Sequence, residues 1–391
     1  MSGKTRVCVV GPSKKFLSGI SYYNIRLANT LAQRYDVSVA CFRNLLPKRL
    51  FPGNKHVGKD LANLDYDSNI AVYNGMDYNN PLTWYGAFAF LKKEKPDIIL
   101  LQWWTSSVAH MHLLISLINS LFIHAKVVVE FHEVVDPFEE SVLPIRLYSR
   151  IMGRTLVMRA DMYVTHSESD KQLVAEKYHI AAGRIRVVPM GLFDHYGAGP
   201  GREAARSKLG LASEYTILSF GLIRPYKGNT YLIQAFGGLP DEIAATCRLF
   251  IVGEIWEDRQ AIEDAIAACK HKARITLVDR YVSDDETQVY FAAADVVAIP
   301  YLRASQSAVA HTAMAFRKPV IVSRVGGLQE SMADYAGTFF VPPADAEAIK
   351  DMILKLYKER PGEFALPDRG WDVVGETYGR AIDALANKTM E

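Results

Sequence analysis

Short runs of unbroken apolar residues, each closing on a glycine or a polar turn, recur along this chain and alternate with stretches of helical period. Residues 6–10 (RVCVV) are the first such run. With no polar alternation, such a run reads as a strand covered on both faces, the mark of a parallel sheet. Parallel strands need crossovers long enough to hold a helix. The sequence supplies one at 20–34, where Ile20, Tyr23, Leu27 and Leu31 form an apolar stripe, and a second strand follows at 37–42. The loop between them carries Lys14, Lys15 and Ser18-Gly19 but no complete GxGxxG, so dinucleotide binding is not signalled.

The alternation continues. Strands are expected at 70–73, 98–102, 127–131, 161–165 and 185–189, with helices at 82–94, 108–124, 143–159 and 168–178. Together they make one doubly wound domain. Gly197, Gly199, Pro200 and Gly201 then read as a hinge. A second alternating set follows, with strands at 216–220, 249–252, 275–278, 296–299 and 320–322. Helices are expected at 230–236, 259–270, 285–293 and 308–316, and a last one at 371–387. A length of 391 residues agrees with two α/β domains, 1–195 and 202–368, with 369–391 as a closing helical segment.

Residues 218–228 (LSFGLIRPYKG) are the most chemically loaded stretch. A β-favouring run ends in Gly221, Arg224 and Lys227 follow within a turn, and Pro225 stiffens the backbone between them. In open α/β sheets ligands bind beyond the carboxyl ends of strands, and helix N-termini favour anions. Arginine grips phosphate oxygens in a fork and lysine adds a point charge. The combination suits a diphosphate; two solvated charges in a polar loop are the plain alternative.

Charge is unevenly spread. Residues 1–199 hold 23 Lys and Arg against 17 Asp and Glu, whereas the remainder holds 22 against 26. A basic first half suggests an anionic partner there, but the surplus is too small to name nucleic acid. Two segments could meet lipid head groups. Residues 43–59 interleave cations with Leu and Phe, and read otherwise as a solvated insertion. At 143–159, Arg146, Arg150 and Arg154 lie along one helix face, with Leu147, Ile151 and Met158 expected on others. A solvated face is the plain reading, and a cationic amphipathic helix resting on anionic lipid the sharper one. The four cysteines form no close pair, so neither a disulfide framework nor a cysteine metal site is signalled. No apolar stretch suffices for a signal peptide core or a membrane span, and the expectation is a reduced cytoplasmic protein, peripheral on the inner membrane face at most.

Several motifs recur in a telling order: Ser18-Gly19, VEFHE ending at Glu133, VVPMG at 187–191 and FGLIRPYKG at 220–228. FIVGE at 250–254, AADVVAIPY at 293–301 and AMAFRKPVIVSRVGGLQE at 313–330 complete the set. In this order and spacing the chain resembles a retaining glycosyltransferase of family 4. That resemblance implies the GT-B fold, two Rossmann-like domains facing a cleft, with the helix begun by Trp371 crossing back to the first domain. It also implies roles. Arg224 and Lys227 would hold the donor diphosphate as the nucleotide departs. His132 would sit near the transferred sugar, Gly19 would let the first domain's backbone approach the donor phosphate or the acceptor, Gly221 would be among the donor-binding residues, and the loop around Val282 would hold the base. The family usually carries two glutamates eight positions apart; here those positions are Ala304 and Thr312, with Ser305, Gln306 and Ser307 between. A subset of the family resembles this SQS pattern, in which these three residues, with Thr312, would meet sugar, phosphate and ribose.

No Asp-x-Asp closes a strand, and no His/Asp cluster has metal-ligand spacing, so no required divalent metal and no other cofactor is expected. Glu133, Asp136, Glu139 and Glu140 lie close to His132 in the sequence, without indication of which would face a ligand. Gly326-Gly327 read as a tight turn. The function expected is metal-independent transfer of a sugar from a nucleotide diphosphate donor to a glycan, lipid-linked or small-molecule acceptor. A nucleotide-sugar epimerase of the same fold and a non-catalytic binding subunit are the rival readings.

Overall fold

The computed structural model describes residues 4–14, 19–44, 64–77, 80–104, 108–134, 143–196 and 199–387. Lys15, Ser18, residues 45–59 of the cationic loop, Asp136, Glu139, Glu140 and Gly197 lie outside the described residues. The chain divides into two compact units, Met1–Gly191 with Arg369–Glu391, and Leu192–Asp368.

The first unit runs β1 (Arg6–Pro12), α1 (Gly19–Ala32), β2 (Asp36–Asn44), β3 (Ala71–Asp77), α2 (Leu82–Glu94), β4 (Ile98–Trp103) and α3 (Ala109–Ile118). A single π-helical turn, Asn119–Ile123, extends α3. Then come β5 (Lys126–Phe131), α4 (Leu143–Val157), β6 (Met162–Thr165), α5 (Glu168–Tyr178) and β7 (Ile185–Val187). All seven strands pair in parallel in the order β3-β2-β1-β4-β5-β6-β7. Burial explains the apolar runs: β4 is buried along its whole length, and β5 everywhere except Lys126. Right-handed crossovers moving away from β1 in opposite directions place their helices on opposite faces. Thus α2, α3 and α4 lie on one face of the sheet and α1 on the other.

The second unit holds α6 (Arg202–Lys208), β8 (Tyr215–Phe220), α7 (Asn229–Gly237), α8 (Asp241–Ala245), β9 (Cys247–Val252), α9 (Arg259–Ala268) and β10 (Ile275–Val278). It continues with α10 (Asp284–Ala293), β11 (Val296–Ile299), α11 (Ala308–Ala315), β12 (Val320–Ser323), α12 (Gly326–Ser331), β13 (Thr338–Val341) and α13 (Ala346–Glu359). Its six parallel strands run in the order β10-β9-β8-β11-β12-β13. Residues 324–370 carry more structure than expected from the sequence. Gly326-Gly327 open α12 rather than forming an isolated turn: Gly326 has φ +42°, and a Cβ there would stand 2.5 Å from the Ala304 carbonyl oxygen. Strand β13 lies at the sheet edge, so residues 338–340 are only half-buried and its run is short.

The last helix, α14 (Trp371–Asn387), belongs to the first unit and packs on α1. Trp371 sits 5.4 Å, ring to ring, from Tyr23, and fills the space a side chain at Gly191 would need. The Tyr35 hydroxyl donates to the Gly379 carbonyl at 3.2 Å and to Asp383 at 2.8 Å, and Arg34 pairs with Asp383. All four cysteines are free and buried.

Candidate functional site

Each sheet has one boundary where the chain's direction of travel reverses, and the loops leaving the two strands there diverge into a crevice. In the second unit this boundary lies between β8 and β11. Two loops meet at their carboxyl ends: residues 221–228 after β8, and 300–307 after β11. The Leu302 amide donates to the Tyr226 carbonyl at 2.7 Å, tying one to the other. Their approach is close enough to demand glycine at 228. That residue has φ +66°, and a Cβ would stand 2.0 Å from the Pro300 carbonyl oxygen. Gly221, also left-handed at φ +97°, ends β8 with the Lys227 ammonium 3.5 Å from where its Cβ would be.

The two cations expected to bind diphosphate are brought together here. They flank one ring: the Arg224 guanidinium lies 5.6 Å and the Lys227 ammonium 5.9 Å from the centroid of Tyr226. Lys227 donates to the Tyr301 hydroxyl at 2.6 Å and lies 4.4 Å from that ring's centroid. Burial pushes the Tyr301 phenol up, so it stays neutral and its oxygen accepts. Arg224 is held by Glu257, whose Oε1 accepts from Nε at 2.7 Å and from a terminal guanidinium nitrogen as well. A carboxylate already oriented on the guanidinium fixes its fork, and an incoming anion must share or displace it.

Of the SQS residues, Ser307 caps α11: its hydroxyl accepts from the Ala310 amide at 3.3 Å and reaches the Tyr301 hydroxyl at 3.5 Å. Ser307 therefore shares a partner with Lys227. Gln306 keeps a buried Nε2 with no hydrogen-bond partner among the described residues, while its Oε1 stands 3.4 Å from His311. Ser305 precedes them in the same loop, half-buried. Thr312 is buried one turn into α11, and its hydroxyl donates back to the Ala308 carbonyl at 2.9 Å. Val282 is buried, its side chain in the core, which leaves only its backbone for a ligand. The adjoining Ser283 closes a capping box with Glu286 at the start of α10.

The first unit holds a second cluster. His132 directly follows β5 and is 4% exposed. Its Nδ1 lies 3.2 Å from Nε2 of His166, which follows β6, and its ring meets Tyr23 edge-on at 4.7 Å. Glu130, two residues earlier on the same face of β5, accepts from the Tyr23 hydroxyl at 2.7 Å and stands 3.5 Å from His166 Nε2. Burial pushes the Glu130 carboxyl up to about 7, partly offset by the hydroxyls of Tyr378 and Tyr23. Burial pushes His166 down to about 4 and His132 well below the usual imidazole range. His166 Nδ1 donates to the Val188 carbonyl at 2.9 Å, so its neutral ring turns Nε2 toward His132 and Glu130 as an acceptor.

Sequence spacing gave no sign of a metal-binding group, yet Glu130, His132 and His166 each offer a ligand atom within 4.8 Å of the others. Two neighbouring strands contribute them, so no local motif carries the signal. At the corresponding reversal point of the first sheet, between β1 and β4, Gln102 buries an amide with no hydrogen-bond partner among the described residues. Neither Gln102 nor Glu130 stands out in the sequence, because each sits inside an apolar run. Gly19 opens α1, beyond the end of β1.

Comparison with known proteins adds the following. The family described as "Glycosyltransferase Family 4" matches residues 17–192, and "Glycosyl transferases group 1" matches residues 214–359. A D-inositol 3-phosphate glycosyltransferase of Mycolicibacterium gilvum is 30% identical over 260 residues, 62% of this chain and 57% of the relative. The chain spans about half the length of the curated relatives it matches. Among solved structures, sucrose-phosphate synthase from Thermosynechococcus elongatus superimposes with a TM-score of 0.68 at 18% identity, covering 99% of this chain and 97% of that one. The HepE protein of Anabaena in complex with UDP-glucose gives 0.66 at 15% identity, covering 98% and 97%. At such identities the likeness is one of fold, two parallel-sheet Rossmann-like domains of the GT-B kind.

Proposed function

We propose that this chain, whose first domain matches the family 4 model and whose second matches that of the group 1 glycosyl transferases, moves a sugar from a nucleotide diphosphate donor to a hydroxyl acceptor with retention at the anomeric carbon. The observation that carries this reading is the joined tip of β8 and β11, where Arg224 and Lys227 flank Tyr226 and Lys227 shares Tyr301 with Ser307. Two cations with fixed partners at a strand-end crevice are pre-oriented for a diphosphate, and orientation in advance is what makes such donors effective as charge develops. In the reaction proposed, the bond from the anomeric carbon to the donor phosphate breaks and its electron pair goes to the phosphate oxygen. The acceptor oxygen attaches from the same face, and its proton passes to that departing oxygen. Arg224 and Lys227 offset the growing charge, while Ser305, Gln306 and Ser307 supply neutral donors and acceptors to sugar and phosphate.

His132, in the first unit, is a neutral, buried imidazole, and this reading gives it the ordering of the transferred sugar rather than the part of a strong base. His166 and the Tyr23 ring fix its orientation, and Glu130 in turn stands against His166. Thr312 donates back into its own helix, so toward a ribose hydroxyl it offers its oxygen as an acceptor only. No metal is needed in this chemistry, since the two cations take the part a divalent ion would play. The acceptor is a glycan, a lipid-linked saccharide or a small molecule.

The reading is tested by a thermal-shift and calorimetric screen of nucleoside diphosphates and their glucose, mannose and N-acetylglucosamine conjugates. A donor that binds only the folded protein raises its melting point. Arg224→Ala should weaken that donor roughly 10- to 100-fold, the range for one charge-assisted contact, and should abolish transfer. Unchanged donor affinity in Arg224→Ala, with the fold intact, refutes the assignment.

A further inference from the structure

Where the chain exposes its apolar side chains is highly uneven. Among the described residues, every large hydrophobic side chain more than half exposed lies in one part of the first unit, from Ile151 at 54% to Leu82 at 84%. Leu82 and Tyr85 are on α2, Leu121 and Phe122 on the π turn after α3, and Leu143, Leu147 and Ile151 on α4, with Met158 just beyond. These helices cover the same face of the sheet and touch. Phe88 of α2 meets Phe122 edge-on at 5.2 Å, and His110 of α3 bonds the Tyr148 hydroxyl of α4 at 2.8 Å.

Helix α4 departs from the expected pattern. Its apolar residues should turn inward, leaving the arginines to solvent. Instead Arg150, Leu143, Arg154, Leu147 and Ile151 follow one another around an arc of about 100° at 100° per residue, and all five are exposed. On its other side α4 packs on the core through Tyr148, Met152, Leu156 and Val157. Cations dominate these helices. Across α2, α3, the π turn and α4 the only acidic residue is Glu94, against Lys92, Lys93, Arg146, Arg150 and Arg154.

We propose that this face of the first unit docks on an anionic lipid bilayer, with α4 lying in the interface. Leucine and isoleucine among arginines suit that boundary. The apolar ends enter the acyl region while the long arginine stems lie along it and keep their guanidiniums at the phosphates. A second copy of the chain fits less well, because a symmetric contact would bring two arginine stripes together without acidic residues to neutralise them. The inference goes beyond sugar transfer and does not depend on it, so it is tested without any donor present.

The test is flotation of the full chain with vesicles of phosphatidylcholine alone or with about one third phosphatidylglycerol. The protein should float with the anionic vesicles, stay behind with the neutral ones, and release as salt rises toward about 1 M. Each basic side chain near an anionic surface contributes about fivefold to partitioning, so Arg150→Gln with Arg154→Gln should lower it about 30-fold. Leu147→Asn with Ile151→Asn should also lower it, while circular dichroism stays unchanged, since all four side chains are exposed. Absence from anionic vesicles overturns the proposal, as does equal binding by both double variants. Concentration-dependent dimers in sedimentation that vanish in Leu147→Asn would also overturn it, assigning the face to a second copy instead.

Discussion

Replacing Glu130 by glutamine should change how the first unit's stability depends on pH, by an amount that follows from its surroundings. The carboxyl is completely buried and burial raises it from 4.5 to about 7. The folded protein therefore keeps a proton that the unfolded chain releases above about pH 4.5. This group's contribution to stability is whole below that pH and is lost as pH climbs through about 7. A displacement of about 2.5 pH units at 1.36 kcal/mol each amounts to about 3 kcal/mol. His166 and His132 act with the opposite sign. Their folded forms refuse protons that the unfolded chain accepts, so the contribution of His166 grows as pH rises from about 4 to 6.5, and that of His132 grows in the same sense. In the wild type the slopes oppose one another below 6.5, and above it only the carboxylate loss remains. Glu130→Gln keeps an oxygen to accept from Tyr23 but cannot ionise. Its stability relative to wild type should therefore climb by about 3 kcal/mol between pH 4.5 and 8, or about 6–12 °C in the melting point of a unit this size. Melting curves followed by tryptophan fluorescence across that range measure it. A difference that stays flat to within about 1 kcal/mol would mean that Glu130 ionises normally in the fold, and the account of the cluster would fail.

Two further outcomes concern the second unit. Gly228→Ala should destabilise it by more than about 1–2 kcal/mol, the cost of a left-handed backbone alone, because the added carbon also meets the Pro300 carbonyl; chemical denaturation with intrinsic fluorescence reads the loss. Ser307→Ala should cost about 0.5–2 kcal/mol through the lost cap of α11, and should loosen donor binding because Tyr301 loses its second partner; denaturant midpoints and calorimetry separate the two effects.

Much of the architecture was written in local pattern. Apolar runs such as RVCVV and KVVVEF are buried on both faces in the parallel sheets, and α2, α5 and α14 occupy the spans their periodicity implies. Less legible was the 324–370 region. The edge strand β13 gains only partial cover, and the six-residue α12 is too short to show a period. The candidate site divides the same way. Arg224, Lys227 and Ser307 announce themselves because glycine, proline and polar residues surround them. Tyr301, Glu257, Glu130 and His166 do not, because each earns its place by a tertiary contact with a residue 33 to 107 positions distant or by a neighbouring strand. Exposure was the poorest guess of all. Leu147 and Ile151 are expected on faces other than the arginines', whereas the fold exposes them beside Arg150 and Arg154, as the helical period itself requires.

Helix α14 also sets an order of events during synthesis. The first unit's sheet leaves the ribosome early, but Trp371 and Tyr378, which close over Tyr23, emerge only after every strand of the second unit. The second unit, unbroken in the chain, can reach its native state while the first still waits for its final piece. Until then the pocket around Tyr23 and Glu130 stays open to water, and any nonsense codon between the two units would leave it so permanently.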